Sequence, residues 1–141
     1  MKREAQVLLY RFQEEKLAAV RRVLNKLHIK IRVLPEDAYA QKIGFLLGMK
    51  GFQPMQTRDE SFSFPHEVMV LQNIRGKRLD EVLGKMKEAG IPHIKFKAVV
   101  TPFNTLWTLQ RLCETMQKEH AASMALPGES AEDRGGRAEV P

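Results

Sequence analysis

The sequence predicts an α/β fold, in which a four-stranded, mainly parallel sheet of order 2-1-3-4 has helices on both faces. Strand-like and helix-like segments alternate four times along the chain, which is typical of a parallel sheet covered by helices. Two strand-like segments are continuous apolar runs, as in central strands buried on both faces. The other two alternate apolar with charged residues, as expected at the edges of a sheet.

The predicted central strands are residues 7–10 and 68–71, and the predicted edge strands are residues 29–33 and 94–100. Each edge strand carries charges at alternate positions, which discourages pairing with the strands of other chains. The charged residues are Lys30, Arg32, Lys95 and Lys97.

Helices are predicted after each strand from apolar residues that are spaced three and four apart. A short helix is expected over residues 38–47, with Asp37 as its N-cap and Gly48 at its end. The last helix is expected to start near Asn104. It should place four residues on one side: Leu106, Leu109, Cys113 and Met116.

The strand order 2-1-3-4 is half of a doubly wound fold, as in receiver-like domains. The alternative is a ferredoxin-like α+β sheet of order 4-1-3-2, which also has the first and third strands in its centre. A ferredoxin-like sheet has helices on one face only, so its central strands should alternate, and residues 7–10 and 68–71 do not. The α/β fold is therefore favoured. Receiver phosphorylation is not expected, because the first strand leads into Arg11, Phe12 and Gln13 rather than into acidic residues.

The chain length of 141 residues fits one domain, which we expect over residues 1–120 with an irregular aromatic loop at 49–66. The net charge of +6 is unevenly distributed, because residues 1–118 hold 21 basic and 12 acidic side chains. The end of the chain is mildly acidic and rich in Ala, Gly, Pro, Glu and Ser. Residues 124–141 are therefore predicted to be a disordered tail.

The sequence offers no support for a membrane or secreted protein. No apolar run approaches the roughly 20 residues that cross a bilayer, and no signal-peptide pattern is present. The single cysteine, Cys113, cannot form an internal disulfide. A cytoplasmic location is expected.

The sequence also lacks the motifs of the common enzyme classes. It has no glycine-rich phosphate loop and no nucleophile elbow. Its four histidines are isolated from one another and lack zinc-ligand spacing. Cys113 falls on an apolar helix face, which favours a buried structural thiol over a nucleophile. No catalytic residue, cofactor or metal is predicted.

In open parallel sheets, ligands bind beyond the carboxyl ends of the strands. This rule points to the loops at 11–13, 35–37, 73–76 and 101–104. In the last loop Asn104 can cap a helix, whose free N–H groups favour an anion, although capping and packing are the simpler roles for these residues. The candidate ligand-binding residues are Gln41, Lys42, Thr101, Asn104 and Trp107.

Four segments of the chain resemble a small bacterial family catalogued as domain of unknown function 3783. The segments are residues 7–10, 39–48, 86–92 and 97–108, and the last is the most specific. The resemblance covers about residues 6–120 and implies a cytoplasmic protein of a family with no assigned activity. Because the family has no known functional residues, none is transferred to this chain.

These observations favour a non-enzymatic binding or regulatory module, with a ligand or partner edge at the strand carboxyl ends. The expected partner is a small anionic ligand or an unknown protein. One alternative is a nucleic-acid-associated basic protein. Acidic residues flank the basic cluster at 21–32 and interrupt the one at 75–87, however, and no RNP-type, KH or helix-turn-helix motif is evident. The other alternative is an enzyme of unrecognised type.

Overall fold

Four strands form one open sheet in the order β2-β1-β3-β4. The computed structural model describes residues 4–56 and 61–125. The strands are β1 (Gln6–Tyr10), β2 (Lys30–Leu34), β3 (Val68–Gln72) and β4 (Phe96–Val99). The helices are α1 (Glu14–Lys26), α2 (Ile43–Leu46), α3 (Gly76–Glu88) and α4 (Leu109–Ala125). Two 3-10 helices, Glu36–Ala40 and Asn104–Leu106, precede α2 and α4.

The sheet lies between two helical layers, and this arrangement explains the continuous apolar runs. Alternate residues of β1 and β3, such as Val7 and Met69, pack against α1 and α3. The residues between them, such as Leu8 and Val70, pack against the outer layer, which contains the 3-10 helices, α2 and α4. The predicted fold class, the strand order 2-1-3-4 and the helices on both faces are confirmed. The ferredoxin-like order does not fit.

The central pair of strands differs from the receiver-like arrangement. β1 pairs with β2 and β3 pairs with β4 in parallel, but β1 and β3 are antiparallel. The cause is the path of the chain after β2. Gln6 Nε2 donates to the Leu47 carbonyl at 3.1 Å, so α2 ends beside the start of β1. β3 starts at the opposite end of the sheet, with Val68 opposite Tyr10.

The antiparallel pair divides the strand ends between two sides of the molecule. We call the end of the sheet where β1 and β2 finish the upper end, and the end where β3 and β4 finish the lower end. The loops at 11–13 and 35–37 therefore lie at the upper end, while those at 73–76 and 101–104 lie at the lower end. The four loops do not form the one ligand edge that a parallel sheet would have.

The two helices of the outer layer begin later than the sequence predicts. The chain is extended at Gln41 and Lys42 and again at Trp107, so each predicted helix is divided into a 3-10 helix and an α-helix. Asp37 lies inside the first 3-10 helix and does not cap α2. Leu106 is exposed, because it precedes α4. Gly48, with a φ of +78°, ends α2 as predicted.

The aromatic segment at 49–66 packs onto the outer layer where it is described. Phe64 is buried in the core and Phe62 packs beside it. Of the predicted tail, residues 124 and 125 end α4, and residues 126–141 lie outside the described part of the chain. No helix within residues 4–56 and 61–125 is long and apolar enough to cross a membrane.

The contact between Gly44 and Phe52 gives a direct test of this packing. A Cβ atom at Gly44 would overlap the Phe52 ring, so we expect Gly44→Ala to lower the free energy of unfolding by roughly 1–3 kcal/mol. In a Phe52→Ala background the same change should be neutral or stabilising, because alanine favours a helix over glycine. Urea denaturation of the four proteins measures both effects. An equal loss in both backgrounds would contradict the contact.

Candidate functional site

Three of the five predicted site residues meet in the outer layer, over the centre of the sheet. Lys42 and Thr108 form an isolated antiparallel bridge. On one side of it the Ile43 N–H donates to the Trp107 carbonyl at 2.9 Å, and on the other the Leu109 N–H donates to the Gln41 carbonyl at 2.9 Å. The structure therefore brings Gln41, Lys42 and Trp107 together through backbone contacts.

Thr101 and Asn104 lie at the lower end, where they hold the turn after β4. Asn104 is 1% exposed. Its Oδ1 accepts the Thr101 N–H at 2.8 Å, and its Nδ2 donates to the Val99 carbonyl at 3.0 Å. The Thr101 Oγ1 in turn accepts the Asn104 N–H at 3.1 Å. These bonds satisfy backbone groups that β4 leaves unpaired.

Trp107 and Gln41 also contact their neighbours through their side chains. Trp107 is 9% exposed, and the Arg111 guanidinium lies 4.4 Å from its ring centroid in a cation–π contact. The Gln41 amide accepts the Met55 N–H at 2.8 Å and donates to the Met55 carbonyl at 3.3 Å. This pair of bonds fastens the segment after α2 to the outer layer.

A separate cleft opens at the upper end of the sheet, with a volume of about 240 Å³. The turn after β1 forms one side of the cleft, and the starts of β3 and β4 form the other. It is lined by Arg11, Gln13, Pro65, His66, Glu67, His93, Lys95 and Phe96. Only the loop at 11–13 is among the predicted strand-end loops. The histidines join it because the antiparallel pair places the start of β3 beside the end of β1.

The cleft and its walls hold more cations than carboxylates. Arg11 Nη1 lies 3.0 Å from Glu36 Oε1, and Lys16 forms an ion pair with Glu67. Lys95 adds a further charge, with its Nζ 5.9 Å from the Phe96 ring centroid.

The Lys97 side chain lies near Lys16 and is largely buried. Burial lowers the pKa of Lys97, and repulsion from Lys16 lowers it further. The Lys97 ammonium donates to the Ile94 carbonyl. Of the charged side chains that line the cleft, Arg11 and Lys95 are cationic and Glu67 is a carboxylate.

Cys113 and the metal-ligating side chains of the described residues form no metal centre. Cys113 is buried, and burial raises the pKa of its thiol to about 12, so the thiol is protonated at neutral pH. A protonated, inaccessible thiol is a poor nucleophile. Within residues 4–56 and 61–125, no three His, Cys, Asp or Glu side chains lie together as a metal site would require.

The hydrogen bonds of Asn104 predict a large structural effect of its replacement. Asn104→Ala should lower the free energy of unfolding by about 2–3 kcal/mol, since it leaves buried backbone groups unpaired. The matched control on the exposed side of α4, Lys118→Ala, should change it by less than about 0.5 kcal/mol. Guanidinium denaturation measures both. Similar small effects of both substitutions would contradict a structural role for Asn104.

Comparison with known proteins identifies one family. No curated protein and no solved structure matches the chain significantly. Residues 67–122 match the sequence model of a family described as domain of unknown function (DUF3783). The match runs from the start of β3 into α4, and it includes the predicted block at 97–108 but not that at 39–48. The predicted resemblance is therefore confirmed over this segment: the chain is similar to the DUF3783 family at residues 67–122.

Proposed function

We propose that this protein is a non-enzymatic binding module that takes a small anionic ligand in the cleft at the upper end. The observation that carries the proposal is that two cations, Arg11 and Lys95, line an open cleft of about 240 Å³ together with one carboxylate, Glu67. Positive charge in a cleft attracts anions, because the low-dielectric walls concentrate the field. A soluble binding role in the cytoplasm of a bacterium is consistent with the family resemblance.

The groups in the cleft suit a phosphate or carboxylate. The Arg11 guanidinium offers several N–H donors in one plane, and the Lys95 ammonium is a compact charge on a flexible stem. His66 and His93 add ring nitrogens that can donate or accept hydrogen bonds. The volume is below the roughly 300–1,000 Å³ of clefts that enclose drug-sized ligands. The cleft therefore fits the charged group of a metabolite better than a whole cofactor.

Three charge-matched variants test the proposal. We expect Lys95→Gln and Arg11→Asn to weaken the binding of pyrophosphate at least about tenfold, or about 1.4 kcal/mol. Asparagine tolerates the φ of +63° at position 11, so Arg11→Asn should fold. Lys118→Gln removes the same charge from an exposed site on α4 and should bind as the parent does.

Isothermal titration calorimetry of all four proteins with phosphate and pyrophosphate measures these affinities. No binding by the parent, or an equal loss in Lys118→Gln, would contradict the proposal. Strong binding of an RNA or DNA oligonucleotide that falls steeply with salt would instead favour the nucleic-acid alternative. That alternative has less support, because Arg32 donates to Gln6 at 3.0 Å and Arg78 donates to the Leu27 carbonyl at 2.8 Å.

A second candidate function is supported by an exposed apolar pair at the lower end. Phe103, which precedes the second 3-10 helix, is 64% exposed, and Leu106, which ends that helix, is 61% exposed. Large exposed apolar side chains that lie together mark protein-binding surfaces. We propose that a protein partner docks on Phe103 and Leu106, with a further contact from the half-exposed Thr101 beside them.

The double variant Phe103→Ser/Leu106→Ser tests this docking surface. It should fold normally, because both side chains are exposed. Affinity capture from an extract of the source organism should retain a protein with the parent that the variant loses. Recovery of the same proteins by parent and variant would contradict the surface.

A further inference from the structure

We infer that this chain contains two copies of one structural unit, residues 6–47 and the segment that the DUF3783 model matches, which pair about a two-fold axis. The DUF3783 segment therefore carries a surface that can pair in the same way with another copy of itself. The first unit consists of β1, α1, β2, a 3-10 helix and α2. The second unit has the same elements in the same order: β3, α3, β4, a 3-10 helix and α4. α1 and α3 are each 13 residues long.

The backbone of the two units is unusual at the same places. Arg11 and Asn73 follow the first strand of each unit with φ of 63° and 60°. His28 and Gly90 follow the first helix of each unit with φ of 60° and 78°. Residues other than glycine seldom adopt a positive φ, so independent coincidence is a poor explanation. The spacing along the chain from Arg11 to Asn73 is also the same as that from His28 to Gly90.

The contacts at the start of each helix correspond as well. Lys16 of α1 donates to the His93 carbonyl before β4 at 3.5 Å, and Arg78 of α3 donates to the Leu27 carbonyl before β2 at 2.8 Å. Lys16 and Arg78 have the same separation as the positive-φ pairs. In each unit, therefore, a cationic side chain donates a hydrogen bond to a backbone carbonyl of the other unit.

The central contacts have the reciprocity of an isologous interface, in which every contact occurs twice. The antiparallel register places Leu8 of β1 opposite Val70 of β3, at the middle of both strands. In the outer layer, Ile43 donates to the carbonyl of Trp107 and Leu109 donates to the carbonyl of Gln41, both at 2.9 Å. A two-fold axis that passes between Leu8 and Val70 and through the Lys42–Thr108 bridge relates the two sets.

The second unit can make the same contacts with a copy of itself. Val70 would face its own equivalent, with Met69 opposite Leu71, so the shared strands would remain apolar. Leu109 would take the place of Ile43, and both are fully buried here. Without a partner, β3 would expose an apolar strand edge, which promotes aggregation. The segment that the family model matches contains one such unit.

The duplication also explains the position of the cleft. Arg11 and Gln13 belong to the first unit, whereas Glu67, His93 and Lys95 belong with the second. The cleft thus lies between the units. The duplication does not depend on anion binding, because it is argued from backbone and core contacts alone.

Cleavage of the full-length chain between the units tests the inference. A protease recognition sequence is inserted within residues 57–60, between Gln56 and Ser61. The cleaved protein is then measured by native mass spectrometry. We expect the two fragments to stay together in one particle. The cleaved protein is then incubated in mild urea, so that the fragments exchange partners, and the urea is removed. A homodimer of the C-terminal fragment should then also appear.

Two single substitutions in the cleaved chain distinguish the pairings. Leu8→Asp should abolish the mixed particle but leave the C-terminal homodimer, because residue 8 is absent from it. Val70→Asp should abolish both. Separation of the fragments on cleavage, or absence of the C-terminal homodimer in the Leu8→Asp protein, would overturn the inference whatever the anion affinity of the cleft.

Discussion

The antiparallel pairing of β1 with β3 determines where the loops of this protein lie. Both strands are buried on both faces, so their side chains join the two helical layers into one core. Because their directions oppose, each end of the sheet combines the finish of two strands with the start of the other two. The cleft at the upper end exists for this reason, since it needs residues after β1 and residues before β3 and β4.

The two proposed binding surfaces lie at opposite ends of the molecule. Cations gather at the upper end around Arg11 and Lys95, whereas Phe103 and Leu106 are exposed at the lower end. Between the two ends, backbone hydrogen bonds hold the segments of the outer layer together. The proposed anion site and the proposed docking surface could therefore be occupied together.

The sequence was sufficient for the fold class and strand order, because a strand buried on both faces must be apolar throughout. It could not show the direction of β3, since parallel and antiparallel central strands have the same apolar pattern. The long segment at 49–66 was the available signal for a reversal. The division of each predicted outer-layer helix, at Gln41 and at Trp107, arises from backbone hydrogen bonds between distant segments. Such bonds leave no pattern in the local sequence. The cleft was missed because His66 and His93 approach Arg11 only after β1 and β3 pair.

Measurement of distances between β1 and β3 by NMR tests the central claim most directly. In an antiparallel pair, Hα atoms of directly opposed residues approach closely at alternate positions of the register. The structure predicts Hα–Hα contacts at alternate pairs of the register that runs from Gln6–Gln72 through Leu8–Val70 to Tyr10–Val68. A pattern in which Gln6 approaches Val68 and Tyr10 approaches Gln72 would show a parallel pair and would contradict both the cleft and the two-fold duplication.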